Sequence, residues 1–198
     1  MSSSSNGSFS LGAASLLLVE GTNQGMDILV QICVGFGVRH SHRANSADEA
    51  MGLLRKVPVD LMICATDLPA TDGYELVRQL RRSSLDPNAS IPVILISGHT
   101  PLKKVLYGRD SGANVVVVKP LTPKVLLDRI LWLATDKRDF VVCPTYAGPD
   151  RRWQNLGPPV GTKGRRKTDL STHVGVAVDP NLDQSDIDAM FRPTKVSI

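Results

Sequence analysis

VDLMICATDLPATDGYE, residues 59–75, is the stretch that decides how this chain folds. Val59, Leu61, Met62, Ile63 and Cys64 form a short, almost unbroken apolar run. Such a run fits a strand covered on both faces. Two turn signals follow, Leu68-Pro69 and Asp72-Gly73, and then the amphipathic run from Tyr74 to Leu80. A buried strand, an acidic loop and a helix in that order mark one unit of a parallel sheet. In such sheets functional groups collect beyond the carboxyl ends of the strands.

The same alternation extends in both directions. Residues 15–19 read as a strand, 26–36 have helical spacing with Gly35 and Gly37 as the stop, and 38–44 read as a weak strand. Ser46 with Glu49 three residues on is a capping box that opens a helix over 47–56. Strands are expected at 59–65, 92–97 and 114–118, and helices at 74–82 and 101–110, the latter closed by Gly112. Lys119-Pro120 stops the fifth strand, and Thr122-Pro123 starts a helix that reaches about residue 134. Five strand–helix repeats predict an α/β fold, a doubly wound five-stranded parallel sheet, over residues 13–136. Residues 1–12, rich in Ser and Gly, read as disordered.

The loop after the third strand resembles the phosphorylation loop of CheY-like receiver domains of two-component response regulators. That family has Asp at the strand end, Pro four residues later and Asp-Gly three residues after the Pro. Pro69 and Asp72-Gly73 fit, but Ala65 stands at the acceptor position. A methyl group cannot attack a phosphoryl donor. The family's acidic pair, which holds Mg²⁺, is reduced to Glu20 followed by Gly21. Ser97 matches the Ser/Thr that senses the phosphoryl group, with the small Gly98 after it. Lys119 matches the phosphoryl-pairing lysine, and a cis bond before Pro120 is common in the family. The resemblance thus implies a pseudo-receiver without catalysis or Mg²⁺, whose pocket residues Glu20, Asp67, Ser97 and Lys119 are retained as scaffold. Lys119 is then expected to pair with Glu20 or Asp67. An atypical phosphorelay regulator with Asp67 as substitute acceptor is the alternative.

Composition narrows the setting. The 198 residues are 42% hydrophobic, enough for one domain with tails. Cys33, Cys64 and Cys143 show no paired spacing, and the first two sit in apolar runs, so buried thiols are expected rather than a disulfide scaffold. No basic signal-peptide region precedes residues 11–19, and that apolar run is too short to span a bilayer. A cytoplasmic protein without membrane partners is the expectation.

The net charge of +4 is unevenly placed. Residues 137–170 hold eight Lys and Arg against three Asp. With its many Pro and Gly residues, the stretch 137–180 reads as a largely disordered basic tail. It holds two clusters, Gly148-Pro149-Asp150-Arg151-Arg152-Trp153 and Gly164-Arg165-Arg166-Lys167-Thr168-Asp169. Arginine reads a guanine edge bidentately at about 1–3 kcal/mol. Arg planes or Trp153 stack on bases at about 1–3 kcal/mol each. The clusters resemble the arginine-rich extension of alphaproteobacterial CheY-like cyclic di-GMP effectors. Asp150, Arg151, Arg152, Trp153, Arg165 and Arg166 are the contacts that this resemblance implies. Four contacts give roughly 4–12 kcal/mol gross. Ordering the segment subtracts about 2–5 kcal/mol, which leaves micromolar affinity within reach. A solvated basic linker remains open as a reading. Specific nucleic-acid binding lacks a folded reader.

The chain ends in residues 181–198, NLDQSDIDAMFRPTKVSI. Ser185 with Asp188 three residues on signals a helix start, and Ile187, Met190 and Phe191 then share one face. Residues 182–190 resemble the N-terminal peptide of the flagellar switch protein FliM, which docks on CheY-type receivers. Folding back onto its own domain and docking on a signalling or flagellar-motor partner are both open.

Overall fold

The computed structural model describes residues 11–151 and 181–191. Five parallel strands form one sheet in the order β2-β1-β3-β4-β5, namely β1 Ser15–Val19, β2 His40–Ala44, β3 Leu61–Ala65, β4 Val93–Ser97 and β5 Val115–Val118. The helices between them are α1 Asn23–Gly35, α2 Ala47–Leu54, α3 Gly73–Arg82, α4 Leu102–Ser111 and α5 Pro123–Thr135. This is the expected doubly wound sheet.

Side chains alternate across each strand, so the sheet feeds two cores. Leu16, Leu18, Ile63, Ile94, Ile96 and Val117 pack under α1 and α5. Leu17, Val19, Met62, Cys64, Leu95 and Val116 pack under α2, α3 and α4. Every residue of β3 is buried, as a central parallel strand requires.

The ends of the helices show how local chemistry sets the boundaries. Thr22 caps α1, its hydroxyl accepting from the Gly25 amide at 3.1 Å. The helix therefore starts three residues before the expected Met26. Gly25 in the first turn hides this start, because glycine reads as a poor helix former. Ser46 caps α2 as expected, accepting from the Glu49 amide. Glu49 reaches back to the Asn45 amide instead of the cap itself. Gly112 ends α4 in the left-handed region at φ 97°.

The expected boundary at residue 136 moves. Residues within the predicted tail form a hairpin, β6 Phe140–Cys143 and β7 Tyr146–Pro149, joined at Pro144-Thr145. Gly and Arg content made this stretch look like a linker. The glycine is instead what seats the hairpin. A Cβ on Gly148 would lie 2.7 Å from the Gly112 Cα, and one on Gly112 would lie 2.3 Å from the Ala147 carbonyl oxygen. Two glycines meet, and neither tolerates a side chain.

Under the hairpin lies Arg81, buried at the end of α3. Its guanidinium donates to the Gly112 and Ala89 carbonyls at 3.0 and 2.8 Å and to the Asn114 side-chain oxygen at 3.1 Å. The Phe140 ring covers it at 5.3 Å. Burial lowers its pKa to about 10, which still leaves it charged at neutral pH. Among the described residues no helix is long and apolar enough to cross a membrane.

Two expected outcomes follow from this packing. Arg81→Met takes the guanidinium donor from the Gly112 and Ala89 carbonyls, while Asn114 keeps the Val93 amide, and should lower unfolding stability by about 3 kcal/mol in urea titration, whereas an exposed-site control such as Lys124→Met changes little. Burial pushes the Cys33 thiol up to about 11 and raises that of Cys64 further. Hydrogen bonds from Thr145 lower that of exposed Cys143. Ellman's reagent near neutral pH should therefore titrate one fast thiol. That fast phase should disappear in Cys143→Ser and persist to lower pH than for an ordinary cysteine.

Candidate functional site

The carboxyl ends of β1, β3, β4 and β5 converge on a small polar pocket. Ala65 ends β3 and is fully buried. Glu20 follows β1 and is buried, and its carboxylate accepts from the Thr22 amide and hydroxyl at 3.2 and 3.1 Å. On its other side Lys119 donates to it at 3.0 Å. Of the two partners expected for Lys119, Glu20 is thus the one engaged. The Lys119–Pro120 bond is cis, as anticipated.

Ser97 ends β4 and is also buried. Its hydroxyl accepts from Thr66 at 3.1 Å and donates to the His99 carbonyl at 2.8 Å. The Lys119 amide donates to the Ser97 carbonyl at 2.8 Å, which joins the two sides of the pocket. Thr66 is a pocket member that sequence reading missed. Its place directly after Ala65 was the available signal.

Asp67 is exposed, and its backbone carbonyl lies against Gly21. That oxygen lies 3.3 Å from where a Cβ on Gly21 would stand, and the Pro69 Cδ lies 2.8 Å from the same point. The position of the family's second acid therefore has no room for a side chain. Among the described residues no group of three or more acidic, His or Cys side chains is placed to hold a metal ion, and the Glu20 carboxylate is already bonded to a hydroxyl, an amide and an ammonium.

The second group of predicted residues is only partly described. Arg151 stacks on the Tyr146 ring at 3.7 Å and is ion-paired to Asp110. The Asp150 amide donates to the Asp139 carbonyl at 2.7 Å, fixing the chain as it leaves the hairpin. Arg152, Trp153, Arg165 and Arg166 lie outside the described residues. Tyr146 and Asp110 had not been singled out, because they become neighbours of Arg151 only when the hairpin docks.

The third group is seated on the chain's own sheet. Helix α6, Gln184–Phe191, lies against β5, with Ile187 and Phe191 buried and Met190 half-buried in the core cluster of α4 and β5. The helix cap is Asp183, which accepts from the Asp186 amide at 2.9 Å, and not the expected Ser185. Ser185 instead donates to Asp183 at 2.7 Å, and both bonds hold the Asp183 carboxyl below its ordinary pKa. The Leu182 amide donates to the Thr100 carbonyl, and the Thr100 hydroxyl donates to the Leu182 carbonyl. Gln184 reads the free edge of β5, accepting from the Val118 amide at 2.8 Å and donating to the Val116 carbonyl at 3.1 Å. Asp188 is ion-paired to Arg129 of α5. An eight-residue helix is not stable alone in water, so these contacts are what order it.

Comparison with known proteins agrees with this fold. The transcriptional regulatory protein AfsQ1 of Streptomyces coelicolor is 36% identical over 95 residues, which cover 46% of this chain and 40% of that one. The response regulator SaeR of Staphylococcus aureus is 29% identical over 115 residues, 57% of this chain and 48% of that one. The chain thus spans less than half the length of either relative. The signal receiver domain of an HD domain-containing protein from Pseudomonas fluorescens has 26% identity and a TM-score of 0.55, covering 61% of this chain and 94% of that one. The chemotaxis response regulator CheY4 of Vibrio cholerae shares the fold at 23% identity and TM-score 0.55, over 61% of this chain and 98% of that one. A family model described as the response regulator receiver domain matches residues 16–131. That match spans more than half of the sequence, and the chain belongs to the response regulator receiver domain family.

Proposed function

We propose that this chain is a non-catalytic signalling adaptor, a pseudo-receiver that binds cyclic di-GMP through its arginine-rich segment and docks on a partner protein, with a flagellar-motor component as one candidate. The observation that carries the first part is Ala65, buried at the strand end where a receiver needs its nucleophile. An alanine methyl has no lone pair to offer phosphorus. Lys119 is engaged by Glu20, and Pro69 excludes a second acid at Gly21. The pocket then acts as a lock on one conformation rather than as a reaction site, and it needs no Mg²⁺.

Support for the ligand comes from the hairpin. It presents Arg151 flat on an aromatic face at the point where the arginine-rich segment begins. A guanidinium so oriented can accept a guanine plane on its other side, while Arg152, Arg165 and Arg166 supply the edge and phosphate contacts. Asp110 opposes this, because it holds Arg151 and repels phosphate. Binding shifts Arg151 between these two partners, so ligand and receiver compete for one side chain.

Incubation with acetyl phosphate and Mg²⁺ should leave the intact mass unchanged. An adduct that disappears in Asp67→Asn would establish the atypical phosphorelay regulator instead. Calorimetric titration of cyclic di-GMP into the full chain should give a micromolar Kd, weakened about 10-fold by Arg151→Ala or Arg166→Ala. Asp110→Asn should tighten binding several-fold, about 3–10-fold, by releasing Arg151. A full chain that takes up no heat at high micromolar nucleotide would leave a purely protein-binding pseudo-receiver.

A further inference from the structure

We infer that the outer edge of β6 is a homodimer surface, to which a second copy of this chain adds its own β6 antiparallel about a two-fold through Val141. The inference stands apart from the adaptor reading, since neither a nucleotide nor α6 takes part in it.

The hairpin has two edges, and they are not alike. β7 turns its edge to the domain, for it lies against α3 and α4, and the Ala147 carbonyl oxygen closes on Gly112. Among the described residues β6 pairs with β7 alone. The register shows which groups its other edge presents. Phe140 faces Pro149 and Val142 faces Ala147, while the Asp150 amide donates to the Asp139 carbonyl at 2.7 Å. Hydrogen-bonded and non-bonded pairs alternate along an antiparallel ladder. Asp139, Val141 and Cys143 therefore bond to β7, and the amides and carbonyls of Phe140 and Val142 point away from it. Pro149, which has no amide hydrogen, sits opposite Phe140 at a non-bonded pair, as this alternation requires. Solitary edge strands are commonly blunted by a charge, a proline or a bulge. β6 reads Phe140-Val141-Val142-Cys143 and carries none of these, with Val142 73% exposed and Phe140 36%.

The strand is complementary to itself. An antiparallel copy that sets Val141 against Val141 brings Phe140 against Val142 in both directions. Each outward amide then meets an outward carbonyl, and each Phe140 ring lies beside a Val142 side chain that is otherwise in water. Moving the two-fold to Val142 would set Phe140 against Pro144, which has no amide to give. Charge agrees with the Val141 register. Asp139 shares a face with Val141 and Cys143, and it comes opposite Cys143 of the second copy. Cys143 neighbours Tyr146 across the hairpin, and Arg151 is stacked on the Tyr146 ring. An acid of each copy thus meets the guanidinium side of the other, once on either side of the two-fold.

Sedimentation velocity on the full chain, from low to high micromolar concentration under reducing conditions, should show a monomer–dimer equilibrium. Val142→Lys should weaken it about 10-fold or more, because the lysine removes the Phe140 contact and sets like charges in the seam. The position is exposed, and an unchanged thermal melt shows that the variant keeps its fold. The register is read by cross-linking in a Cys143→Ser background with oxidised glutathione. Val141→Cys should form a disulfide-linked dimer, because a non-bonded pair brings the Cα atoms to about 4.5 Å, within disulfide reach. Val142→Cys, although more exposed, should cross-link more slowly, because each Val142 faces Phe140 of the second copy. A chain that stays monomeric throughout, a dimer indifferent to Val142→Lys, or faster cross-linking at 142 than at 141 overturns the inference.

Discussion

A parallel strand buried on both faces has no solvent side along its length, and β3 is such a strand. Its neighbours β1 and β4 are equally enclosed, with α1 and α5 over one face and α2, α3 and α4 over the other. Polar side chains in this layer can stand only at the strand ends. Glu20, Thr66, Ser97 and Lys119 all occupy those ends, and their mutual bonds are the form in which the fold accommodates them. With Ala65 at the centre of this group, the polar atoms around it satisfy one another and join the ends of four strands.

The sheet was legible in the sequence because both-face burial leaves a plain mark, a short run of apolar residues between turn signals. The pocket was legible through the resemblance and through the position of its residues at strand ends. Three elements were not legible, each for a physical reason. The hairpin is held by the contact of Gly112 and Gly148, residues far apart in sequence whose role depends on having no side chain. Arg81 ends an amphipathic helix and looks like a solvated cation, but the hairpin buries it and its bonds run to backbone carbonyls. The Arg151 environment of Tyr146 and Asp110 exists only after that docking. The direction in which α6 turns was also beyond sequence reading, since an amphipathic face records that something covers it but not what.

The hairpin and α6 lie on either side of the same stretch, residues 152–180, and both rest on the receiver fold. Arg151 pairs with Asp110 near the end of α4, and Asn181 pairs with Pro101 at its start. The two points at which the described chain is interrupted are thus both fixed to the same helix.

The two edges of the sheet differ in how they are guarded. β2 carries His40, His42 and Arg43, charged or polar residues that discourage another strand from adding to it. β5 is four valines in a row, Val115 to Val118, and its guard is α6. Uncovered, that edge is a template for strand-on-strand growth and aggregation. The helix that completes the core on this side thus also keeps the edge of one copy from meeting that of another.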